Sequence, residues 1–222
     1  MLWRLIDSPP SDIFSQMAKD RELFEHFLQN PGSQPALRIY QVNAPSATVG
    51  YSHRKRINPA GFFGKLRRRI FNPFPRNLPL CVRPTGGGLV RHGKDLIYSV
   101  IARRDSFPTF SKVRTSYLSF HETIQEALTQ LGVETRLFRC DEAGAAQNAT
   151  DCFTRPVATD ILFKEQKIAG GAQRRKGDAF LHQGSIQIPE GLTFQSLREA
   201  FLEAFERKFG VVWQDQVEEP KV

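Results

Sequence analysis

Short β-leaning runs alternate along this chain with three longer stretches whose apolar residues recur at helical spacing, and that alternation restricts the fold to a mixed α/β architecture. After Pro9-Pro10, Ser11 or Asp12 can cap a helix that puts Ile13, Met17, Phe24, Phe27 and Leu28 on roughly one face and ends before Asn30-Pro31-Gly32. Residues 112–131 repeat the pattern with Val113, Tyr117, Phe120, Ile124, Leu128 and Leu131, and Gly132 stops it. A last helix from about Thr193 to Lys208 buries Leu197, Phe201, Phe205 and Phe209. Residues 36–40, 47–51, 80–83, 89–90, 96–102, 133–138, 159–163, 167–169 and 181–188 read as strands. The first two are expected to be neighbours across a turn at Asn43-Ala44-Pro45, and Gly170-Gly171 is expected to turn the chain again.

A length of 222 residues suits one large domain, and 40% hydrophobic with 24% charged residues is ordinary globular usage. No repeat of 20–50 residues is present, which removes solenoids and propellers. No stretch approaches the ~18 consecutive apolar residues of a membrane span. The opening MLWRLIDSPPSD has Arg4 and Asp7 where a signal peptide would be apolar, so a cytoplasmic location is expected. Three cysteines, Cys81, Cys140 and Cys152, form no CxxC pair, and neither a disulfide framework nor a cysteine-only zinc site is expected.

The excess of basic over acidic side chains, 31 against 23, is uneven. From Arg54 to Arg83 the chain carries Arg54, Lys55, Arg56, Lys65, Arg67, Arg68, Arg69, Arg76 and Arg83 with no Asp or Glu among them. Such a segment suits an acidic partner, protein or nucleic acid, or is simply a solvated loop.

Two constellations can carry chemistry. In Arg83-Pro84-Thr85-Gly86-Gly87-Gly88-Leu89-Val90-Arg91-His92, three glycines between β-like runs let the backbone approach a ligand and present unhindered N–H groups to a carbonyl or phosphate. The pattern is neither GxGxxG nor GxxxxGK[ST] and opens no helix, which disfavours the two commonest nucleotide sites; a plain hairpin turn remains the alternative. The second is Asp151-Cys152-Phe153, then Lys167-Ile168-Ala169-Gly170-Gly171-Ala172-Gln173 and Leu181-His182-Gln183-Gly184-Ser185-Ile186. A lone cysteine is most often a small buried hydrophobe, but Arg155, Arg174, Arg175 or Lys167 beside Cys152 would stabilise its thiolate. Lys167 precedes a run of small residues against which little but a ligand can pack.

Taken in order, WRLIDS (3–8), ATVGYS (47–52), RPTGGGLVRH (83–92), DLIYSV (95–100), CF (152–153), KIAGGAQRR (167–175) and HQGSI (182–186) resemble the biotin/lipoate protein ligase and octanoyltransferase family from Trp3 to Phe209. The Cys-Phe-x-x-Pro step fifteen residues before Lys167 is most similar to the cysteine-dependent octanoyltransferases acting on acyl carrier protein. The resemblance implies the biotinyl/lipoyl-transferase fold, mixed β-sheets flanked by helices, as a single catalytic domain over residues 1–210. A basic loop insertion at about 54–80 and a tail at 211–222 complete it.

The resemblance also implies an octanoyl or lipoyl group passing from acyl carrier protein through a Cys152 thioester to a lysine of a 2-oxoacid dehydrogenase lipoyl domain or a glycine-cleavage H protein. Cys152 and Lys167 would be catalytic. Arg83, Thr85, Gly86, Gly87, Gly88, His92, Gly170, Gly171, Ala172, His182 and Gly184 would bind substrate. Arg54, Lys55, Arg56, Lys65, Arg67, Arg68 and Arg69 would meet acidic partners, with nucleic acid and membrane not expected. No cofactor or metal is required on this reading. The chain departs from the family pattern in its long basic stretch, in Gly-Gly-Ala where Gly-Ser-Ala is common, and in Thr159-Asp160 where an aromatic-acidic pair is usual, which bears on substrate choice more than on reaction type.

Two rivals remain. An ATP-dependent lipoate ligase, using ATP and Mg, shares the glycine and lysine motifs; the short stretch after the last helix leaves no room for its accessory domain and favours the transferase. A binding module without catalysis, docking through residues 54–76, is the other.

Overall fold

The computed structural model describes residues 1–54, 77–138 and 158–214. Its main sheet has eight strands in the order β11-β1-β2-β6-β10-β9-β8-β7. These are β1 (Leu2–Asp7), β2 (Ala36–Tyr40), β6 (Asp95–Arg103), β7 (Arg136–Leu137), β8 (Ile161–Phe163), β9 (Gln166–Lys176), β10 (Ala179–Gln187) and β11 (Val212–Gln214). A second, three-stranded sheet holds β3 (Ser46–Val49) between β4 (Leu80–Val82) and β5 (Leu89–His92). Three α-helices are present among the described residues: α1 (Ile13–Gln29), α2 (Val113–Gln130) and α3 (Phe194–Phe209). The mixed α/β expectation and the helix positions hold.

Asp12, not Ser11, caps α1, accepting from the Phe14 and Ser15 amides. Thr193 and Ser196 cap α3 reciprocally, and Gly210 ends it in the left-handed conformation at φ 55°. The strands at the centre of the sheet are buried on both faces. From β6 and β10, Ile101, Ala179 and Leu181 pack on Phe24 and Phe27 of α1. Tyr98, Val100 and Phe180 face Phe120 and Ile124 of α2 and Phe201 and Phe205 of α3. Period-2 alternation along each strand thus sorts side chains between two cores.

Two expectations about connectivity are corrected. Residues 36–40 and 47–51 are not paired neighbours, since β2 pairs with β1 and β6 while β3 belongs to the second sheet. Gly170-Gly171 is not a turn. The strand runs on through it to Lys176, because β10 supplies pairing from Ala169 to Lys176. The glycines serve close packing instead, and the turn is at Gly177, φ 59°.

Candidate functional site

The site is built where β9 changes face. Ile161 pairs with Ala169 but Leu162 pairs with Lys167, so Ile168 is an extra residue in the strand. Ile168 and the following Ala169 both enter the same core. This bulge breaks the alternation and turns Lys167 to the face of Gly170 and Ala172, away from that core. The Lys167 Nζ then lies 2.7 Å from Asp160 Oδ2, with the two side chains 6% and 2% exposed. Gly170 is the residue that makes room, because a Cβ there would stand 2.6 Å from Lys167 Cε and 2.7 Å from Asp160 Oδ1.

Lys167 opens onto a cavity of about 910 Å³. Arg83, Gly86, Gly87 and Gly88 line it from the loop between β4 and β5, His92 from β5, and Gly170, Gly171, Ala172 and Gly184 from the main sheet. Of the expected substrate-binding residues, these nine surround one space. Thr85 is fully buried beside it. His182 is fully buried too, beneath Gly171, where a Cβ would meet its ring at 2.5 Å. Its Nδ1 faces Gln173 Nε2 at 3.1 Å and its Nε2 the Tyr98 hydroxyl at 3.0 Å. Burial, then the charges near it, hold the imidazole pKa well below its ordinary value, so His182 is neutral.

The triple-glycine loop is clamped by its carbonyls. Arg83 donates to the Gly88 oxygen at 3.0 Å and the Gly86 oxygen at 2.5 Å, the Gly50 amide donates to Gly87, and the Tyr51 amide to Thr85. Gly87, at φ 89°, takes the conformation only glycine adopts readily. With these oxygens engaged, the Gly86 and Gly87 amides meet no acceptor among the described residues and border the cavity. The pair can donate to a developing oxyanion.

Two buried chains of hydrogen bonds tie the loop to the main sheet. Ser185 donates to Asp95 Oδ2 at 2.7 Å, the same oxygen lies 2.7 Å from His92 Nδ1, and His92 Nε2 lies 2.9 Å from the Thr48 hydroxyl, which accepts from Arg83 at 3.2 Å. Burial would raise the Asp95 carboxyl, but His92, the Gly93 amide and Ser185 outweigh it and hold the pKa below its ordinary value. In the second chain Thr85 donates to Gln183 Oε1 at 2.7 Å, and Gln183 Nε2 donates to Asp20 Oδ2 at 2.6 Å. Asp20, with no exposure, also accepts from Arg38 at 2.8 Å, Tyr40 at 2.7 Å and Ser99 at 2.8 Å. This carboxylate is fully satisfied, as a buried charge must be.

Sequence reasoning missed Gln183, Asp20, Arg38, Asp95 and Thr48. Gln183 and Ser185 stand within HQGSI, and strand alternation alone puts them on the face opposite His182 and Gly184. Arg54 is exposed and stacks over the Tyr51 ring at 4.1 Å. Cys152, the proposed nucleophile, lies outside the described residues, as do Lys55, Arg56, Lys65, Arg67, Arg68 and Arg69.

Residues 12–200 match the lipoyl protein ligase A/B catalytic domain. The chain belongs to that family. The similarity extends to Octanoyltransferase LipM of Moorella thermoacetica, 32% identical over 190 residues, covering 84% of this chain and 65% of that one. It extends likewise to Octanoyltransferase LipM of Oceanobacillus iheyensis, 28% identical over 186 residues, covering 84% and 64%. The chain thus spans slightly under two thirds of the length of these curated relatives. Among solved structures, a T. acidophilum protein described as a lipoate protein ligase, with bound lipoic acid, superposes with a TM-score of 0.71 at 20% identity, covering 99% of this chain and 91% of that one. The biotinyl/lipoyl-transferase fold is therefore that of the lipoyl protein ligase A/B family, and the glycine loop and Lys167 fall within the matched residues.

Proposed function

We propose that the chain is an octanoyltransferase of protein lipoylation, moving an acyl group from an acyl carrier thioester through Cys152 to the lysine of a lipoyl domain or H protein. The observation that carries this reading is the meeting of Lys167, turned inward by the β9 bulge, with the Gly86 and Gly87 amides around one cavity. Support from likeness comes from relatives named octanoyltransferases. A T. acidophilum ligase described together with its E2 lipoyl domain supports the choice of acceptor.

The Cys152 thiolate attacks the thioester carbonyl carbon, and the carbonyl oxygen takes the negative charge. The glycine amides and the Lys167 ammonium stabilise that oxygen; one such donor is worth roughly 10²–10³ in rate. Collapse breaks the bond to the carrier sulfur, which leaves as a thiolate and takes up a proton. The acceptor lysine, as the free amine, attacks the new thioester, and the bond to Cys152 breaks as the amide forms. The amine proton passes to the departing Cys152 sulfur. In the chain, Cys152 precedes by six residues Ala158, which lines the cavity with Thr159.

The acyl tail has a natural track across the sheet. Gly170 pairs with Ser185, Ser185 with Ile97, and Ile97 with Tyr40, and all four line the cavity with Met17 beyond. Three inter-strand steps give roughly 14 Å. An extended octanoyl chain needs roughly 8–9 Å. Burial of its methylenes contributes about 5 kcal/mol at ~0.8 kcal/mol each. The basic residues Arg54, Lys55, Arg56, Lys65, Arg67, Arg68 and Arg69 would draw the acidic donor and acceptor domains.

The test is an intact mass spectrum after mixing with octanoyl-acyl carrier protein and no ATP. An octanoyl adduct on Cys152 that disappears when a lipoyl domain is added is expected. No adduct, with full transfer by Cys152→Ala, overturns the reading. Transfer that needs ATP and free lipoate, with pyrophosphate released, assigns the chain to the ligases instead.

A further inference from the structure

Gln173, which lines the cavity, is held on its far side by the first of a second group of cations. Gln173 and Arg175 share one face of β9, and Arg175 Nε donates to Gln173 Oε1 at 3.2 Å. Arg175 also donates to the Ser116 hydroxyl at 2.9 Å and the Ser111 carbonyl at 3.0 Å. Arg104 reaches the same Ser111 carbonyl at 3.4 Å, which sets two guanidinium groups side by side. Arg114, exposed at the start of α2, lines the cavity.

The nearby cations are of two kinds. Arg103 is paired with Asp178, and Arg174 and Lys176 with Glu25. No ion pair joins Arg104, Arg114 or Arg175 to a carboxylate among the described residues. Burial and then the Arg104 charge lower the Arg175 pKa, as expected where like charges stand together. Planar guanidinium groups in this arrangement suit a phosphate, which accepts from both.

On the reading given above, we infer that Arg104 and Arg175, with Arg114 at the cavity edge, form the subsite for the phosphate of a 4′-phosphopantetheine arm bearing the acyl group. The spacing fits. From Gly170, beside the Lys167 ammonium, to Arg175 is five residues of strand, roughly 16 Å. About thirteen bonds separate sulfur from phosphorus in the arm, equivalent to a little over four extended residues, roughly 14–16 Å. Gly170 and Ala172 lie on one face of β9 and Gly171 and Gln173 on the other, and all four line the cavity because β8 pairs with β9 only as far as Ala169. With the thioester carbonyl at Lys167 and the tail lying across the sheet, the arm would cross that open edge of β9, pass Gln173 and end between the two arginines. The same arm occurs on acyl carrier proteins and in coenzyme A, and the subsite recognises what they share.

The test uses two thioethers that cannot transfer a group, S-octyl-4′-phosphopantetheine and S-octyl-pantetheine, titrated calorimetrically into the whole protein. The wild type is expected to bind the phosphorylated probe roughly ten-fold or more tighter, as charge-assisted hydrogen bonds imply. An Arg104→Gln/Arg175→Gln variant should lose that preference and keep its affinity for S-octyl-pantetheine. Equal binding of the two probes by the wild type, or an unchanged preference in the variant, overturns the proposal. If the double variant does not fold, Arg104→Gln and Arg114→Gln, both at exposed positions, carry the same comparison. In transfer assays, the natural source is whichever of octanoyl-acyl carrier protein and octanoyl-coenzyme A shows the raised KM in Arg104→Gln; a KM unmoved for both counts against the subsite. Binding of the thioethers needs no transfer, so a wild type that discriminates the probes but acylates nothing would sink the transferase reading and leave the subsite standing.

Discussion

Lys167 and Asp160 form a buried ion pair, 2.7 Å from nitrogen to oxygen, that exists because one extra residue in β9 turns the lysine inward. Removing one partner of such a pair leaves a buried charge uncompensated, which costs about 3–5 kcal/mol. Lys167→Met is therefore expected to lower the urea midpoint sharply and to abolish acyl transfer. Adding Asp160→Asn should restore much of the stability and none of the transfer. A double variant that recovers both would show that the lysine serves only to neutralise Asp160.

The Thr85 hydroxyl reaches the main sheet through Gln183, which in turn satisfies one oxygen of Asp20. Gln183→Ala leaves both groups short of a partner in a dry interior, a loss of about 1–3 kcal/mol. Thr85→Val and Gln183→Ala should be coupled by roughly 0.5–3 kcal/mol in a double-mutant cycle read by chemical denaturation. Because the same contacts hold the glycine loop, kcat/KM should fall more than stability alone explains. Strict additivity of the two substitutions would show that the hydrogen bond contributes nothing.

Acid should destabilise the protein from within its core. His121 donates through Nδ1 to the Thr159 carbonyl at 2.6 Å, while its Nε2 is buried with no partner among the described residues. Burial, opposed by the Thr159 contact and helped by the Lys167 charge, lowers its pKa from 6.5 to about 4. The unfolded chain therefore binds a proton between pH 6.5 and 4 that the folded chain refuses, and stability must rise with pH across that window. Its contribution is complete above about pH 6.5 and declines as the pH falls, by up to about 3 kcal/mol for this one group. His182, also depressed, acts in the same direction. Urea midpoints at pH 7.5 and 5.0 measure the slope, and His121→Phe should reduce it. A midpoint unchanged between the two pH values would contradict the burial argument.

Much of this was legible in the sequence because local pattern and global fold agree. Helical spacing placed the three α-helices, and the Gly86–Gly88 and Lys167–Gln173 motifs do border one cavity. What escaped was non-local. The pairing of β10 with β9 decides that Gly170-Gly171 is strand, and glycine's usual association with turns pointed the other way. The bulge at Ile168 is invisible to any periodicity, since it is defined by the partner strand. The pattern of the first helix marks only its apolar face and gives no sign of Asp20, on which Arg38, Tyr40, Ser99 and Gln183 from three strands converge.

The far end of the acyl track should set the accepted chain length. Met17 and Ile97 are 2% exposed, and both line the cavity with Tyr40, beyond the Gly170–Ser185 end where the carbonyl would lie. A methylene moved from water into an apolar site is worth ~0.8 kcal/mol, close to a four-fold change in affinity. Met17→Ala lengthens the track by about the reach of that side chain, so decanoyl and dodecanoyl donors should gain on octanoyl by roughly ten-fold in kcat/KM, while octanoyl itself loses through the gap left behind. Met17 meets the loop's support only through a 3.5 Å contact of its sulfur with Gln183 Nε2, which keeps its bond to Asp20, so single-turnover rates with a saturating long-chain donor should match the wild type with octanoyl. Should Met17→Ala keep the wild-type order of preference across C6 to C12 donors, the tail must run elsewhere in the cavity, and the row from Gly170 to Tyr40 would no longer be its path.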